Sequence, residues 1–282
     1  MSYKVIIPTA GLGSRLEKLT RNINKSLISV DHKPVLGHQI KKFQKGCEFV
    51  IALGFKGQLV KEYLELVYPE IKFIFEFIKP FQGKGSGLGY TLSCCRTYLK
   101  EPFIFLSCDT LVREEIPPPS INWVGYSDEF ISDSYRSIEL DLEKVIDIKE
   151  KGINGSNLYP YIGLAGIKDF EYFWDISIEE EEFRNIGESF ALKEIAKNKK
   201  LLAKKFTWYD TGTLDNLSFA RKNFSHENKY NILDKDDEQI WFDNGKVIKY
   251  SNDPNFIKDR VDRSKLLNPF VPKIIKSSIN MY

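Results

Sequence analysis

Lys4-Val5-Ile6-Ile7-Pro8-Thr9-Ala10-Gly11-Leu12-Gly13-Ser14-Arg15 is the stretch whose reading decides the fold. Val5, Ile6 and Ile7 form a short β-branched run, which suits a buried parallel strand. Gly11 and Gly13 follow at once. Glycine lacks a Cβ, so the chain turns sharply there and its amides come close to a ligand. A loop of amides with the cations Arg15 and Lys25 suits a polyphosphate. The spacing has neither the third glycine of a dinucleotide fingerprint nor the Gly-Lys-Ser/Thr ending of a P-loop. Taken alone, the stretch also reads as a strand-to-helix turn with no ligand.

Downstream, strands and helices alternate. The apolar spacing of Val35, Leu36, Ile40 and Phe43 predicts a helix over 35–45, ended by Gly46. Phe49–Leu53 reads as a buried strand, 58–67 as an amphipathic helix stopped by Pro69, and 71–78 as a third strand. This alternation predicts a mostly parallel central sheet with helices on both faces. Ligands of such sheets lie beyond the carboxyl ends of the strands.

Gly83, Gly85, Gly87 and Gly89 make 80–89 a close-approach loop, with a helix expected over 90–99. Phe103–Leu106 is a strongly apolar strand running through Ser107 and Cys108 to Asp109, at the ligand end of the sheet. Strand-like pieces fall within 124–140, and a helix is expected over 178–183 with the acidic run Glu179–Glu182 on a solvated face. A further helix covers 191–198. The pattern changes after Lys222. Ile240 to Tyr250 alternates around Asn244-Gly245, a strong hairpin signal. A helix carrying Arg260 and Arg263 and a last strand from Ile274 follow.

Composition excludes several classes. Net charge is +2, from 41 basic and 39 acidic residues, too balanced for non-specific nucleic-acid or membrane binding. No apolar run is long enough to span a bilayer, and no signal-like start is seen. Cys47, Cys94, Cys95 and Cys108 fit no zinc spacing and read as reduced thiols, which points to the cytoplasm.

Ala10-Gly11-Leu12-Gly13-Ser14-Arg15-Leu16, then Lys25, then His32-Lys33-Pro34-Val35-Leu36, resembles the signature of the nucleotidylyltransferases. These enzymes couple a nucleoside triphosphate to a phosphorylated sugar, polyol or amino alcohol. Four later stretches carry the same resemblance. Phe103–Asp109 is similar to the family's apolar run ending in Gly-Asp, with Cys108 for the glycine. Val145–Gly152 is similar to its strand ending in Glu-Lys-Pro, with Gly152 for the proline. Trp208-Tyr209-Asp210-Thr211-Gly212-Thr213 is similar to its Trp-x-Asp-(Ile/Thr)-Gly-Thr. Tyr161–Ile167 resembles the strand over the acceptor but lacks its usual asparagine, and Asn24 stands where a proline usually precedes the second cation.

The resemblance implies an α/β, Rossmann-like nucleotide-diphospho-sugar transferase fold over 1–222. It implies Arg15 and Lys25 as catalytic, with Ala10, Gly11, Leu12, Gly13, Ser14, Gln82 and Gly87 against the nucleotide. Asp109 and Asp210 would hold Mg²⁺, and Lys151, Tyr161 and Glu188 would meet the acceptor. CTP is the favoured nucleotide, with cell-surface polysaccharide building the pathway. Residues 223–282 form a small β-containing appendage. It resembles the truncated N-lobe of a small-molecule (choline or aminoglycoside) kinase-like fold, with Lys249 in the place of its phosphate-binding lysine. A homo-oligomer and a longer chain with a fused kinase-like domain stay open, and so does an appendage serving oligomerisation. Two other functions fit the fold less well. A nucleotide-sugar glycosyltransferase would want a second acid after Asp109-Thr110, where Leu111 stands. A silent nucleotide-sensing domain has no need of Arg15, Lys25, Asp109 and Asp210 together.

Overall fold

A computed structural model describes residues 2–43, 46–128, 134–153, 155, 157–177, 180–224, 235 and 237–282. Its nine-stranded sheet has the order Phe73–Phe77, Glu48–Leu53, Lys4–Pro8, Phe103–Leu106, Leu158–Ile167, Trp123–Tyr126, Leu202–Lys205, Lys144–Lys149, Ser137–Asp141. The first four strands are mutually parallel. Beyond Phe103–Leu106 the sheet is mixed: Leu158–Ile167 runs antiparallel to both neighbours, and Leu202–Lys205 is parallel to Trp123–Tyr126.

Successive strand residues face opposite sides. Val5 and Ile7 join one apolar core, with Phe49 and Ile51 and with Tyr63, Leu64 and Val67 of the helix Gly57–Val67. Ile6, Val50 and Ala52 join the other, under the helices Leu88–Cys95, Phe170–Asp175, Glu181–Ile186 and Glu188–Asn198. Helices therefore cover both faces. Val5, Ile6 and Ile7 are fully buried, which is why a run without alternation makes this strand. Each such side chain stabilises the fold by about 2 kcal/mol.

Several bounds differ from expectation. The first helix is Val35–Ile40, shorter than 35–45, with Gln44 and Lys45 outside the described residues. The helix expected over 90–99 begins at Leu88 and ends at Cys95, followed by a 3₁₀ turn Arg96–Tyr98. The helix near the acidic run is Glu181–Ile186, and Ile178 and Glu179 lie outside the described residues.

The hairpin after Lys222 is as expected: Glu238–Asp243 pairs with Lys246–Ser251 around Asn244-Gly245. The helix Pro254–Leu266 follows. No strand starts at Ile274. The chain passes Ile274–Ile275 without sheet partners and returns to the hairpin through one bridge, Tyr250 to Met281. Only the last residues reach the free edge of Lys246–Ser251, through Lys249 with Tyr282 and Ser251 with Asn280, so tertiary placement overrides the β-propensity of Ile274–Ile275. Trp241, Ile248, Tyr250 and Met281 are fully buried and belong to the same core as Val5 and Tyr63. No helix among the described residues is long and apolar enough to cross a membrane.

Candidate active site

The site gathers at the carboxyl ends of Lys4–Pro8 and Phe103–Leu106, the ligand end for parallel strands. Pro8 leads into the glycine loop. Gly13 has φ +69°, and a Cβ there would lie 2.9 Å from side-chain carbons of both Lys25 and Thr20, so only glycine fits. Thr20 Oγ1 donates to the Gly13 carbonyl at 3.1 Å and closes the loop.

Asn24 is wholly buried and uses its whole amide. Its Nδ2 donates to the carbonyls of Thr9 (2.8 Å) and Phe55 (2.6 Å). Its Oδ1 accepts from the amide and the hydroxyl of Ser26. Its φ of −71° is one that proline also adopts. The side chain thus supplies by hydrogen bonds the rigidity that a ring would supply covalently.

Lys25 follows and places Nζ 3.0 Å from Asp109 Oδ2. Burial opposes the ammonium, but the charge and hydrogen bond of Asp109 together with the neighbouring Cys108 outweigh it, and Lys25 is held above the ordinary lysine range. Burial likewise opposes the Asp109 carboxylate. Lys25, the Ser107 hydroxyl at 2.6 Å and Arg15 outweigh it and bring the carboxyl down to about 2. Gln39 Nε2 donates to the carbonyls of Ser107 (2.7 Å) and Thr110 (2.8 Å), fixing the turn that presents Asp109. Cys108 is a buried thiol pushed up to about 11 by burial, hence neutral.

Asp210 arrives on a separate two-stranded ladder, Trp208–Asp210 against Thr110–Val112, in register with Thr110. The Thr211 amide and hydroxyl both donate to the Asp109 carbonyl, at 2.9 and 3.0 Å. Asp210 accepts from the Gly212 amide (2.9 Å), Tyr135 Oη (2.7 Å) and Asn216 Nδ2 (2.6 Å). Burial and the nearby charge of Asp109 still raise its carboxyl above the usual range. Gly212 measures the convergence. A Cβ added there would lie 3.1 Å from Asp210 Oδ1, 3.2 Å from Arg15 Nη2 and 3.2 Å from Asp109 Oδ2. One small space is therefore lined by two carboxylates and a guanidinium.

That donor set fits Mg²⁺, which takes one or two carboxylates and completes its shell with phosphate oxygens and water. A divalent ion would also relieve the repulsion that raises Asp210. Among the described residues no group of three or more His, Cys, Asp or Glu side chains could hold a metal.

No protein-family model matches the chain. Among curated proteins it is 26% identical over 246 residues to "Bifunctional protein GlmU" of Methanocaldococcus jannaschii, covering 83% of this chain and 57% of that one. It is 40% identical over 62 residues to "Probable glucose-1-phosphate cytidylyltransferase" of Bacillus subtilis, covering 21% of this chain and 24% of that one. The chain spans about a third of the first GlmU relatives it matches. Among solved structures it superposes on a putative glucose-1-phosphate thymidylyltransferase from Bacillus anthracis with TM-score 0.68 and 18% identity, covering 82% of this chain and 98% of that one. It superposes on the CTP:phosphocholine cytidylyltransferase of Streptococcus pneumoniae with TM-score 0.62 and 20% identity, covering 80% of this chain and all of that one.

The chain has the nucleotidyltransferase fold. On this fold the residues singled out from the sequence divide into groups. Arg15, Lys25, Asp109 and Asp210 come together. Ala10 is buried beneath the loop, while Gly11, Leu12 and Ser14 are exposed at its rim. Gln82 is exposed on its own loop. Gly87 has a packing reason for being glycine: a Cβ would lie 2.2 Å from the Arg184 carbonyl.

Tyr161 and Glu188 are buried beside one another, and among the described residues neither Tyr161 Oη nor Glu188 Oε2 has a hydrogen-bond partner of good geometry. Burial raises Glu188 to about 7. Lys151 is exposed in a turn, and no hydrogen bond or ion pair among the described residues joins it to the other group. Gly152 beside it has φ +83°, which proline cannot adopt, so the turn differs from the Glu-Lys-Pro pattern.

Sequence reasoning missed Ser107, Gln39, Tyr135 and Asn216 as supports. The only local signal was Ser107, two residues before Asp109.

Proposed function

We propose that residues 1–222 transfer a nucleotidyl group from a nucleoside triphosphate to a phosphorylated sugar, polyol or amino alcohol, releasing pyrophosphate. The observation that carries this is the meeting of Arg15, Lys25, Asp109 and Asp210 around Gly212 at the ligand end of the sheet. CTP is favoured, because a cytidylyltransferase appears among both the sequence relatives and the structural neighbours. The pathway read with it is cell-surface polysaccharide building, on family resemblance. Four free cysteines support a reducing, cytoplasmic setting.

An oxygen of the acceptor phosphate attacks the α-phosphorus, and the bond to the bridging oxygen breaks. The acceptor phosphate is already anionic at neutral pH, so no general base is required. Catalysis is alignment plus charge neutralisation. The amides of Leu12–Ser14 and the Arg15 guanidinium hold the β- and γ-phosphates. Lys25 Nζ, fixed by Asp109, meets the charge that builds on the α-phosphate. Asp109 and Asp210 would hold Mg²⁺, which when bound supplies charge neutralisation at the phosphates. Tyr161, Glu188 and Lys151 are assigned to the acceptor side.

Residues 223–282 are proposed as an appendage whose hairpin keeps its resemblance to the first strands of a kinase-like fold. Lys249 there is paired with Glu238. The test is pyrophosphate release from each of four nucleoside triphosphates against a panel of phosphorylated acceptors. Release that needs both substrates and a divalent cation supports the reading; none with any pair overturns it.

A further inference from the structure

The hairpin holds both ends of the strap that carries Lys25. At the leading end, Tyr250 Oη donates to the Asn22 carbonyl at 2.8 Å, three residues before Lys25. Asn22 Nδ2 donates to Asp237 Oδ1 at 2.7 Å. At the trailing end, the Phe242 amide donates to the His32 carbonyl at 2.8 Å. Between these anchors the strap runs through the 3₁₀ turn Lys25–Leu27 and the short strand Ser29–Val30.

The hairpin itself is seated firmly. Asp243 is fully buried, accepts from Tyr63 and from Tyr68 (2.5 Å), and lies 3.0 Å from Lys41 and 3.8 Å from Lys33. Gly37 makes room for it, since a Cβ there would lie 2.2 Å from Asp243 Oδ2. Trp241 packs edge-on against Tyr63 and stacks on Tyr250, with ring centroids 5.6 and 5.9 Å apart. Asn244 Nδ2 adds a bond to the Val67 carbonyl at 3.0 Å.

Two of these features go beyond simple attachment. A buried carboxylate with two phenols and two ammonium groups is costly to assemble for adhesion alone, where apolar packing serves as well. Besides the bonds to the Leu66 and Val67 carbonyls, the hairpin's backbone contacts outside that cluster take in both ends of one segment, and that segment bears the part-buried Lys25. Asn24 fixes the strap to the sheet from the inner side; Tyr250 fixes it from the outer side.

We infer that the hairpin is a positioning element for the transfer reaction, with Tyr250 setting the place of Lys25 through the carbonyl of Asn22. This rests on the role proposed for Lys25. A misplacement well under 1 Å at a group that neutralises charge in the transition state costs rate more than ground-state binding. The geometry also links the appendage to the nucleotidyl site, so whatever loosens the hairpin slows the reaction.

Tyr250→Phe tests it, because it removes the hydroxyl and keeps the stack on Trp241. Turnover is expected to fall about three- to tenfold, the worth of one hydrogen bond expressed in the transition state, with KM for the nucleotide nearly unchanged. Amide exchange over residues 22–28 rises in the same variant. Leu99→Ala, in the core on the other face of the sheet, serves as the control. It lowers the melting temperature without changing turnover or exchange over 22–28. Turnover of Tyr250→Phe within about twofold of the parent, or a loss matched by Leu99→Ala at equal destabilisation, overturns the inference. If the parent releases no pyrophosphate with any substrate pair, the nucleotidyl-transfer reading fails, and exchange over 22–28 alone decides whether Tyr250 holds the strap.

Discussion

Removing the Lys25 ammonium is the most informative single perturbation. Lys25→Ala deletes a part-buried cation 3.0 Å from Asp109 and leaves two carboxylates facing one another. Asp109 is held at about 2 against an ordinary 3.8, which corresponds to roughly 2 kcal/mol favouring its charged form in the folded protein. The folded value is depressed, so this stability is present above pH 3.8 and lost as pH falls towards 2. Lys25→Ala is therefore expected to lose about 2–3 kcal/mol at pH 7, near the lower end of what breaking a buried pair costs. Without Lys25, burial and Asp210 push the Asp109 carboxyl above its ordinary value, so the deficit shrinks as pH falls from about 6 to 4. Turnover should drop on the order of 10²–10³, as when one preorganised donor is removed from a developing anion. Denaturant titrations at pH 7 and pH 4.5, with pyrophosphate-release kinetics on the folded variant, measure both. A folded variant with turnover within tenfold of the parent would refute the role given to Lys25. A stability loss equal at both pH values would refute the electrostatic account of Asp109.

Glu188→Gln should stabilise the protein at high pH. Glu188 is raised to about 7 from 4.5, so the unfolded chain releases its proton first and stability falls as pH rises between those values. The variant's advantage is expected to grow from nothing near pH 4.5 to about 3 kcal/mol at pH 8, read by denaturation at both. Gly212→Ala places a methyl 3.1–3.2 Å from Asp210, Arg15 and Asp109. It should abolish Mn²⁺ binding in a titration and lower turnover about 100-fold or more with little change in melting temperature. Asn24→Ala leaves the Thr9 and Phe55 carbonyls without their donor and should cost about 2–3 kcal/mol in denaturation, with turnover falling as the strap loosens.

The parts written in contiguous residues were readable from the sequence. The short, β-branched and aromatic runs Val5-Ile6-Ile7 and Phe103–Leu106 read as strands buried on both faces, and each ends where ligands bind. Asn244-Gly245 reports its hairpin by turn chemistry alone. What the sequence hid depends on tertiary neighbours. Tyr135, Asn216 and Ser107 are ordinary polar residues until the ladder of Trp208–Asp210 on Thr110–Val112 aims their donors at two carboxylates. Asn24 read as a departure from a pattern, and only its four hydrogen bonds show it as a substitute for a rigid ring. Nothing in the sequence marks Asp243, whereas a glycine at position 37 opens the hole it fills. The mixed half of the sheet was hidden because antiparallel and parallel partners share one apolar pattern when both faces are covered. The strand expected at Ile274 did not form because the chain meets the hairpin edge only at Asn280–Tyr282.

The most direct test of the central claim is the fate of the α-phosphorus. With CTP labelled at the α-phosphate, Mg²⁺ and a phosphorylated acceptor, the label should leave CTP only when the acceptor is present. It should appear in a nucleoside diphosphate joined to the acceptor, with unlabelled pyrophosphate in equal amount. Label recovered as nucleoside monophosphate, or remaining in each of the four triphosphates with every acceptor, would contradict nucleotidyl transfer at the site formed by Arg15, Lys25, Asp109 and Asp210.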